Sequence, residues 1–137
     1  MDDALARTTA ALGMEVGILS RIDGSTYTVV AVHPGDAVAV GATFELGLTF
    51  CQVPWTRGRL LAVPDLLVTE HHTHPAYAHF GVAAYIGAPV HVDGEPFGTV
   101  NFSSSTPRAG GWSAEDREMV LRLAREIGTS LPVPTLS

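Results

Sequence analysis

Read as a pattern of apolar and polar positions, the chain opens on a helical face: Leu5, Thr8 and Leu12 recur at three- and four-residue spacing across residues 3–12, and Gly13 follows as a left-handed C-cap. The period then drops to two. Residues 14–21 (Met-Glu-Val-Gly-Ile-Leu-Ser-Arg) and 26–33 (Thr-Tyr-Thr-Val-Val-Ala-Val-His) predict strands joined as a hairpin through Ile22-Asp23-Gly24-Ser25. Pro34-Gly35-Asp36 ends the second strand, and a weaker third is expected within residues 37–46, anchored by Val38, Val40 and Phe44. The middle is less regular. Residues 48–55 predict a short helix stopped near Pro54, residues 60–63 a short strand ended by Pro64-Asp65, and residues 69–81 a loop entering a short helix, with Pro75 in its first turn and Gly81 at its end. Residues 84–92 and 97–103, parted by Asp93-Gly94-Glu95, carry the strongest hairpin signal. Ser113 then N-caps a last helix with Glu115 and Asp116 in its first turn, where acids complement the helix dipole. Met119, Val120, Leu123 and Ile127 form its inward face, and Gly128 and Pro132 limit its end. Helix, strands, irregular middle, two strands, helix: the order predicts one α+β domain over residues 1–137, its core at about 4–130, with an antiparallel sheet.

Composition narrows the chemistry. In 137 residues, 46% hydrophobic and 16% charged, there is apolar material for a packed interior and too little charge for a disordered chain. The net charge is −6 and all eight basic residues are Arg. A broad nucleic-acid surface is therefore not expected, and with no Lys the chain has neither Schiff-base chemistry nor a P-loop lysine. Cys51, the single cysteine, excludes an internal disulfide, a Cys-x-x-Cys redox pair and a multi-cysteine zinc site. An acidic start, Met1-Asp2-Asp3, and no apolar run of membrane length predict a cytoplasmic protein with no membrane partner.

Residues 85–102 (Tyr-Ile-Gly-Ala-Pro-Val-His-Val-Asp-Gly-Glu-Pro-Phe-Gly-Thr-Val-Asn-Phe), followed by Trp112-Ser-Ala-Glu-Asp116, resemble the second half of GAF domains. The Thr49-Phe50-Cys51 step, the Leu61-Ala-Val-Pro-Asp65 step and the short helix before Tyr85 occur in that order in many bacterial members attached to signalling proteins, so the resemblance covers roughly residues 4–130. It implies a PAS-related fold: a central antiparallel sheet of about six strands, terminal helices on one face, and a ligand pocket on the other roofed by short helices and loops. It further implies a sensory domain that binds a small molecule non-covalently, passes occupancy through its terminal helices to an output domain or partner protein, and forms a homodimer through them. The apolar strips at Leu5/Leu12 and residues 119–127 are the dimer candidates, their alternative being packing on their own sheet.

Candidate pocket residues come from both lines. Alternation along residues 97–103 puts Thr99, Asn101 and Ser103 on one face and Val100 and Phe102 on the other, so the polar face either lines a pocket or meets solvent. Tyr85 closes the pocket or fills the core. Phe50, Cys51 and Trp55 in the roof, Asp65 after Pro64, and Tyr77 and Phe80 in the short helix complete the set. Gly87 and Gly98 are read as sites of close backbone approach, and Gly94 as a turn residue. No basic group lies within five residues of Cys51, so an inert buried thiol is the preferred reading. Bilin attachment is disfavoured because Gln52, not His, follows it and it lies early in the domain. Four of the six histidines, His71, His72, His74 and His79, fall within residues 71–79, but Pro75 interrupts any i,i+4 metal pair, and a solvated, pH-sensitive surface is preferred. In some haem-carrying GAF sensors a histidine shortly before the strand like Tyr85–Val92 holds the iron, which makes His79 a haem-ligand candidate; no cofactor is otherwise required. No acid pair, serine nucleophile elbow or His-Glu-x-x-His motif is present. The alternatives are an enzyme related to free methionine sulfoxide reductase using Cys51 with an external resolving thiol, and a dimerisation module without ligand.

Overall fold

The computed structural model describes residues 2–46, 52–65 and 82–130. Helix α1 (Asp2–Leu12) ends in a two-bond Schellman motif: Gly13, at φ +70°, donates to the Ala10 carbonyl at 3.0 Å and Met14 donates to that of Thr9 at 3.1 Å. Because the cap uses Met14, strand β1 starts later than the hydrophobic pattern suggests and spans Val16–Asp23. It turns through Gly24-Ser25, with Gly24 at φ +61°, into β2 (Thr26–His33).

One bulge on β2 reorganises both faces. Leu19 pairs with Ala31 but Ser20 pairs with Val29, leaving Val30 as the extra residue. Tyr27 and Val29 therefore enter one core and Ala31 the other, a switch that strict alternation along residues 26–33 does not foresee. Strand β3 is only Thr43–Glu45. Val38 and Phe44 pack as expected, but Val40 is 64% exposed and anchors nothing, because residues 34–42 are occupied by turns that fold back on the Val29 carbonyl and N–H.

Helix α2 (Gln52–Arg57) contains Pro54 in its first turn instead of stopping there; an N-terminal turn has no intrahelical acceptor for that N–H, so the ring is tolerated. Residues 48–51 of the expected helix and all of 69–81 lie outside the described residues. Strand β4 (Leu61–Val63) is followed by β5 (Ala84–Val92) and β6 (Glu95–Ser104), joined through Asp93 and Gly94 at φ +54° and +79°, the primed hairpin turn.

Helix α3 (Ala114–Ser130) begins with a capping box: the Asp116 N–H donates to Ser113 Oγ and the Ser113 N–H to Asp116 Oδ2, both at 3.0 Å. It runs through Gly128 to Ser130, within the limits that Gly128 and Pro132 set. A Cβ at 128 would lie 2.2 Å from the His91 carbonyl oxygen, so this glycine lets the helix lie directly on β5.

The strands form one six-stranded antiparallel sheet in the order β3-β2-β1-β6-β5-β4. Leu5 and Leu12 of α1 and Val120, Leu123 and Ile127 of α3 bury one face with Leu19, Ile86, Ala88, Val90, Val100 and Phe102. The apolar strips considered for a dimer are thus covered by the protein's own sheet. Thr8 and Thr9 are tolerated in this buried layer because their hydroxyls donate to the Ala4 and Leu5 carbonyls at 2.8 and 2.7 Å. The opposite face carries a second cluster, Ile22, Tyr27, Val29, Leu46, Val63 and Tyr85, against which Trp55 of α2 packs.

Candidate functional site

The face opposite the terminal helices has a polar centre inside an apolar frame. Strand β6 supplies Thr99, Asn101 and Ser103 at alternate positions, with Val100 and Phe102 on the helix side, as alternation requires. Antiparallel pairing places Ser20 beside Thr99, Ile18 and Gly87 on either side of Asn101, and Tyr85 beside Ser103.

The hydroxyls of Ser20 and Thr99 lie 2.8 Å apart, and the Thr99 N–H donates to Ser20 Oγ at 3.2 Å. Both residues are fully buried, so this pair ties β1 to β6 and satisfies two groups that would otherwise be orphaned. Asn101, 4% exposed, donates from Nδ2 to Tyr27 Oη at 3.3 Å, a contact that spans β1 because Tyr27 stands on β2. The Tyr27 ring also meets Phe44, with centroids 6.2 Å apart at 59°.

Tyr85 is 2% exposed, and its phenol lies over Gly87: a Cβ at 87 would stand 2.2 Å from Tyr85 Oη. Gly98 sits where a Cβ would be 1.8 Å from the Ser20 backbone oxygen. Both glycines are therefore places of close approach, one to a side chain and one to backbone.

Of the sequence candidates, the structure brings Tyr85, Thr99 and Asn101 into this buried face, with Ser103 half-buried beside Tyr85 and Trp55 half-buried over the second cluster. Asp65 is half-buried just past β4, at the edge. Phe50, Cys51, Tyr77, His79 and Phe80 lie outside the described residues, as do His71, His72 and His74. Sequence reasoning missed Tyr27 and Ser20. The signal for Tyr27, an aromatic in the first hairpin, was present, but its reach to Asn101 depends on β1 lying between β2 and β6.

No charged side chain is buried among the described residues, and none of their His, Cys, Asp and Glu groups gather in threes. This face therefore offers neutral hydroxyl, phenol and carboxamide groups in an apolar frame. In small-molecule pockets, groups of this kind orient a ligand by hydrogen bonds while apolar walls hold it.

The sequence matches the family described as GAF domain over residues 1–131. The chain belongs to the GAF domain family. Solved structures agree in fold. The GAF domain from Acinetobacter phosphoenolpyruvate-protein phosphotransferase superposes with a TM-score of 0.74 at 15% identity, covering 93% of this chain and 76% of that one. The Thermosynechococcus elongatus PixJ GAF domain, solved in its blue-light absorbing form, gives 0.68 at 21% identity, covering 91% and 78%. The type II free methionine-R-sulfoxide reductase from Thermoplasma acidophilum gives 0.66 at 17%, covering 92% and 90%. No curated protein matches the sequence. This GAF domain has no helix among its described residues long and apolar enough to cross a membrane.

Proposed function

We propose that this chain is a single GAF domain acting as a small-molecule sensor or regulator in a bacterial signalling system, in the cytoplasm, with the ligand held non-covalently on the face opposite the terminal helices. The observation that carries this reading is the buried Asn101–Tyr27 pair within an apolar frame, flanked by Tyr85 and roofed on one side by Trp55. Buried polar groups of this kind contribute more to specificity than to stability. Trp55, Asp65, Tyr85, Asn101 and Ser103 are the described residues proposed to contact the ligand; Thr99, already paired to Ser20, supports the floor. Phe50, Cys51, Tyr77 and Phe80 are proposed contacts from the remaining segments.

Occupancy is read by the terminal helices, which lie on the other side of the same sheet, and passes to an output domain or partner. A homodimer would have to use the outward surfaces of α1 and α3, where a shallow groove is lined by Ala4, Arg7, Met119, Arg122 and Glu126, since the apolar strips are already buried.

Native mass spectrometry of the freshly purified chain, with a denatured control, tests the reading. Extra mass lost on denaturation supports it and identifies haem, with His79 as candidate ligand, by its mass; a bare chain that also shows no thermal shift across a metabolite and nucleotide panel leaves a ligand-free interaction module. The likeness to the Thermoplasma reductase supports a second reading, reduction of free methionine sulfoxide by Cys51 with an external thiol. Turnover that disappears in Cys51→Ser supports it, and an inactive wild-type chain removes it.

A further inference from the structure

One residue outside the sheet touches four separate parts of the fold. Arg108, in the segment between β6 and α3, donates its backbone N–H to the Pro64 carbonyl at 2.8 Å, where the chain leaves edge strand β4. Its Nε donates to the Gly111 carbonyl at 2.9 Å. One terminal nitrogen donates to the carbonyl of Leu12, the last residue of α1, and the other to Asp116 Oδ2 at 3.1 Å in the first turn of α3. The guanidinium lies 4.3 Å from the Trp112 ring centre, and Trp112 Nε1 is buried with no acceptor among the described residues, so stacking and packing hold that ring in place.

Each contact has a reason. The Leu12 carbonyl is one of the acceptors a helix end leaves open, at the negative end of the α1 dipole. Asp116 is already fixed by Ser113, which makes it a stationary anchor. A guanidinium is a planar fork, so three acceptors in different directions fix its orientation as well as its position.

Topology gives the arrangement its consequence. Strand β4 is an edge strand paired only with β5, and β5 and β6 separate it from β1 and β2, the part of the sheet that α1 covers. Displacement of Pro64-Asp65 reaches α1 through the sheet only by way of those strands. Through Arg108 it reaches α1 and α3 directly.

We propose that Arg108 is a positioning residue, a clasp that couples the β4 exit at the edge of the candidate site to the end of α1 and the start of α3. Its use in signalling rests on the sensory reading above; the mechanical coupling does not, and its test needs no ligand.

The test is hydrogen exchange by mass spectrometry on the full chain, comparing wild type, Arg108→Gln, Asp116→Asn and the double variant. In Arg108→Gln, exchange rises roughly tenfold, the effect of losing one hydrogen bond to a charged group, at residues 12–14, 61–65 and 114–117, while residues 99–102 in the sheet centre are unchanged. Asp116→Asn loosens residues 61–65 in the presence of Arg108 and adds nothing there in its absence. Additive effects, a silent 61–65 segment in Asp116→Asn, or a uniform rise across the chain would overturn the coupling. Should Arg108→Gln fail to fold, Arg108→Lys, which keeps the charge and loses the fork, takes its place under the same criteria. A bare chain in native mass spectrometry that also shows no thermal shift with the metabolite and nucleotide panel would remove the sensory reading and leave these outcomes unaffected.

Discussion

Replacing Gly87 by Ala tests the packing of the candidate site without touching the helix-side core. The added Cβ would stand 2.2 Å from Tyr85 Oη, 2.6 Å from Cζ and 2.9 Å from Cε1, all inside the 3.4 Å at which ordinary contact begins. The obstacle is a side chain, so the phenol can rotate away, but Tyr85 is 2% exposed and packed with Ile22, Tyr27, Val29 and Val63. Overpacking of this kind costs about 1–3 kcal/mol, and we expect about 2 kcal/mol here. For a domain of this size that is a fall in Tm of roughly 6–10 °C. Tyr85→Leu removes the ring and carries its own cavity cost of about 3 kcal/mol. In that background Gly87→Ala should cost less than about 0.5 kcal/mol, so the two changes couple by roughly 1.5 kcal/mol. The four chains are compared by urea denaturation followed through Trp55 and Trp112 fluorescence, with midpoints and slopes fitted separately. An equal cost of Gly87→Ala in both backgrounds, or a cost below about 0.5 kcal/mol in wild type, would refute the argument that Tyr85 occupies the space over Gly87.

Gly98→Ala meets backbone, 1.8 Å from the Ser20 oxygen, and no rotamer relieves it; about 3 kcal/mol or more should be lost, against about 1 kcal/mol for Gly24→Ala, where only the positive φ resists, both read from denaturation midpoints. Tyr27→Phe removes the acceptor of Asn101 Nδ2 and should cost about 1 kcal/mol in the same assay. Acid should weaken the fold with a defined sign. Bonds from the Ser105 N–H and hydroxyl hold the Glu15 carboxyl below its ordinary 4.5. At Asp116 burial opposes ionisation, but Ser113 and Arg108 outweigh it and hold the carboxyl below 3.8. Both groups add stability above their unfolded-state values and lose it as pH falls through the folded ones, so the urea midpoint should decline from about pH 5 downward, less steeply in Glu15→Gln.

Local chemistry was enough for much of this fold. The C-cap at Gly13, the turn at Asp93-Gly94, the capping box at Ser113 and the alternation that separates Thr99 and Asn101 from Val100 and Phe102 each depend on residues close in sequence, where φ preference, helix capping and the two-residue period act directly. Errors and omissions arose where a distant partner decided the outcome. Val40 looked like an anchor until residues 34–42 proved to be turns, and the close approach of Gly128 to the His91 carbonyl, beyond its place near the helix end, was not foreseen. The β2 bulge, which sends Tyr27 and Ala31 to opposite faces, answers to pairing with β1. The same holds for function. Sequence supplied the family resemblance and half of the polar face, Thr99 and Asn101, but their partners Ser20 and Tyr27 lie 79 and 74 residues away. Arg108 gave no signal at all, because its four acceptors come from the residue just after β4, from α1, from its own loop and from α3. Hydrophobic period and turn chemistry specify elements and their faces; strand order and contacts across the fold specify which polar groups meet, and those contacts exist only once the sheet has closed.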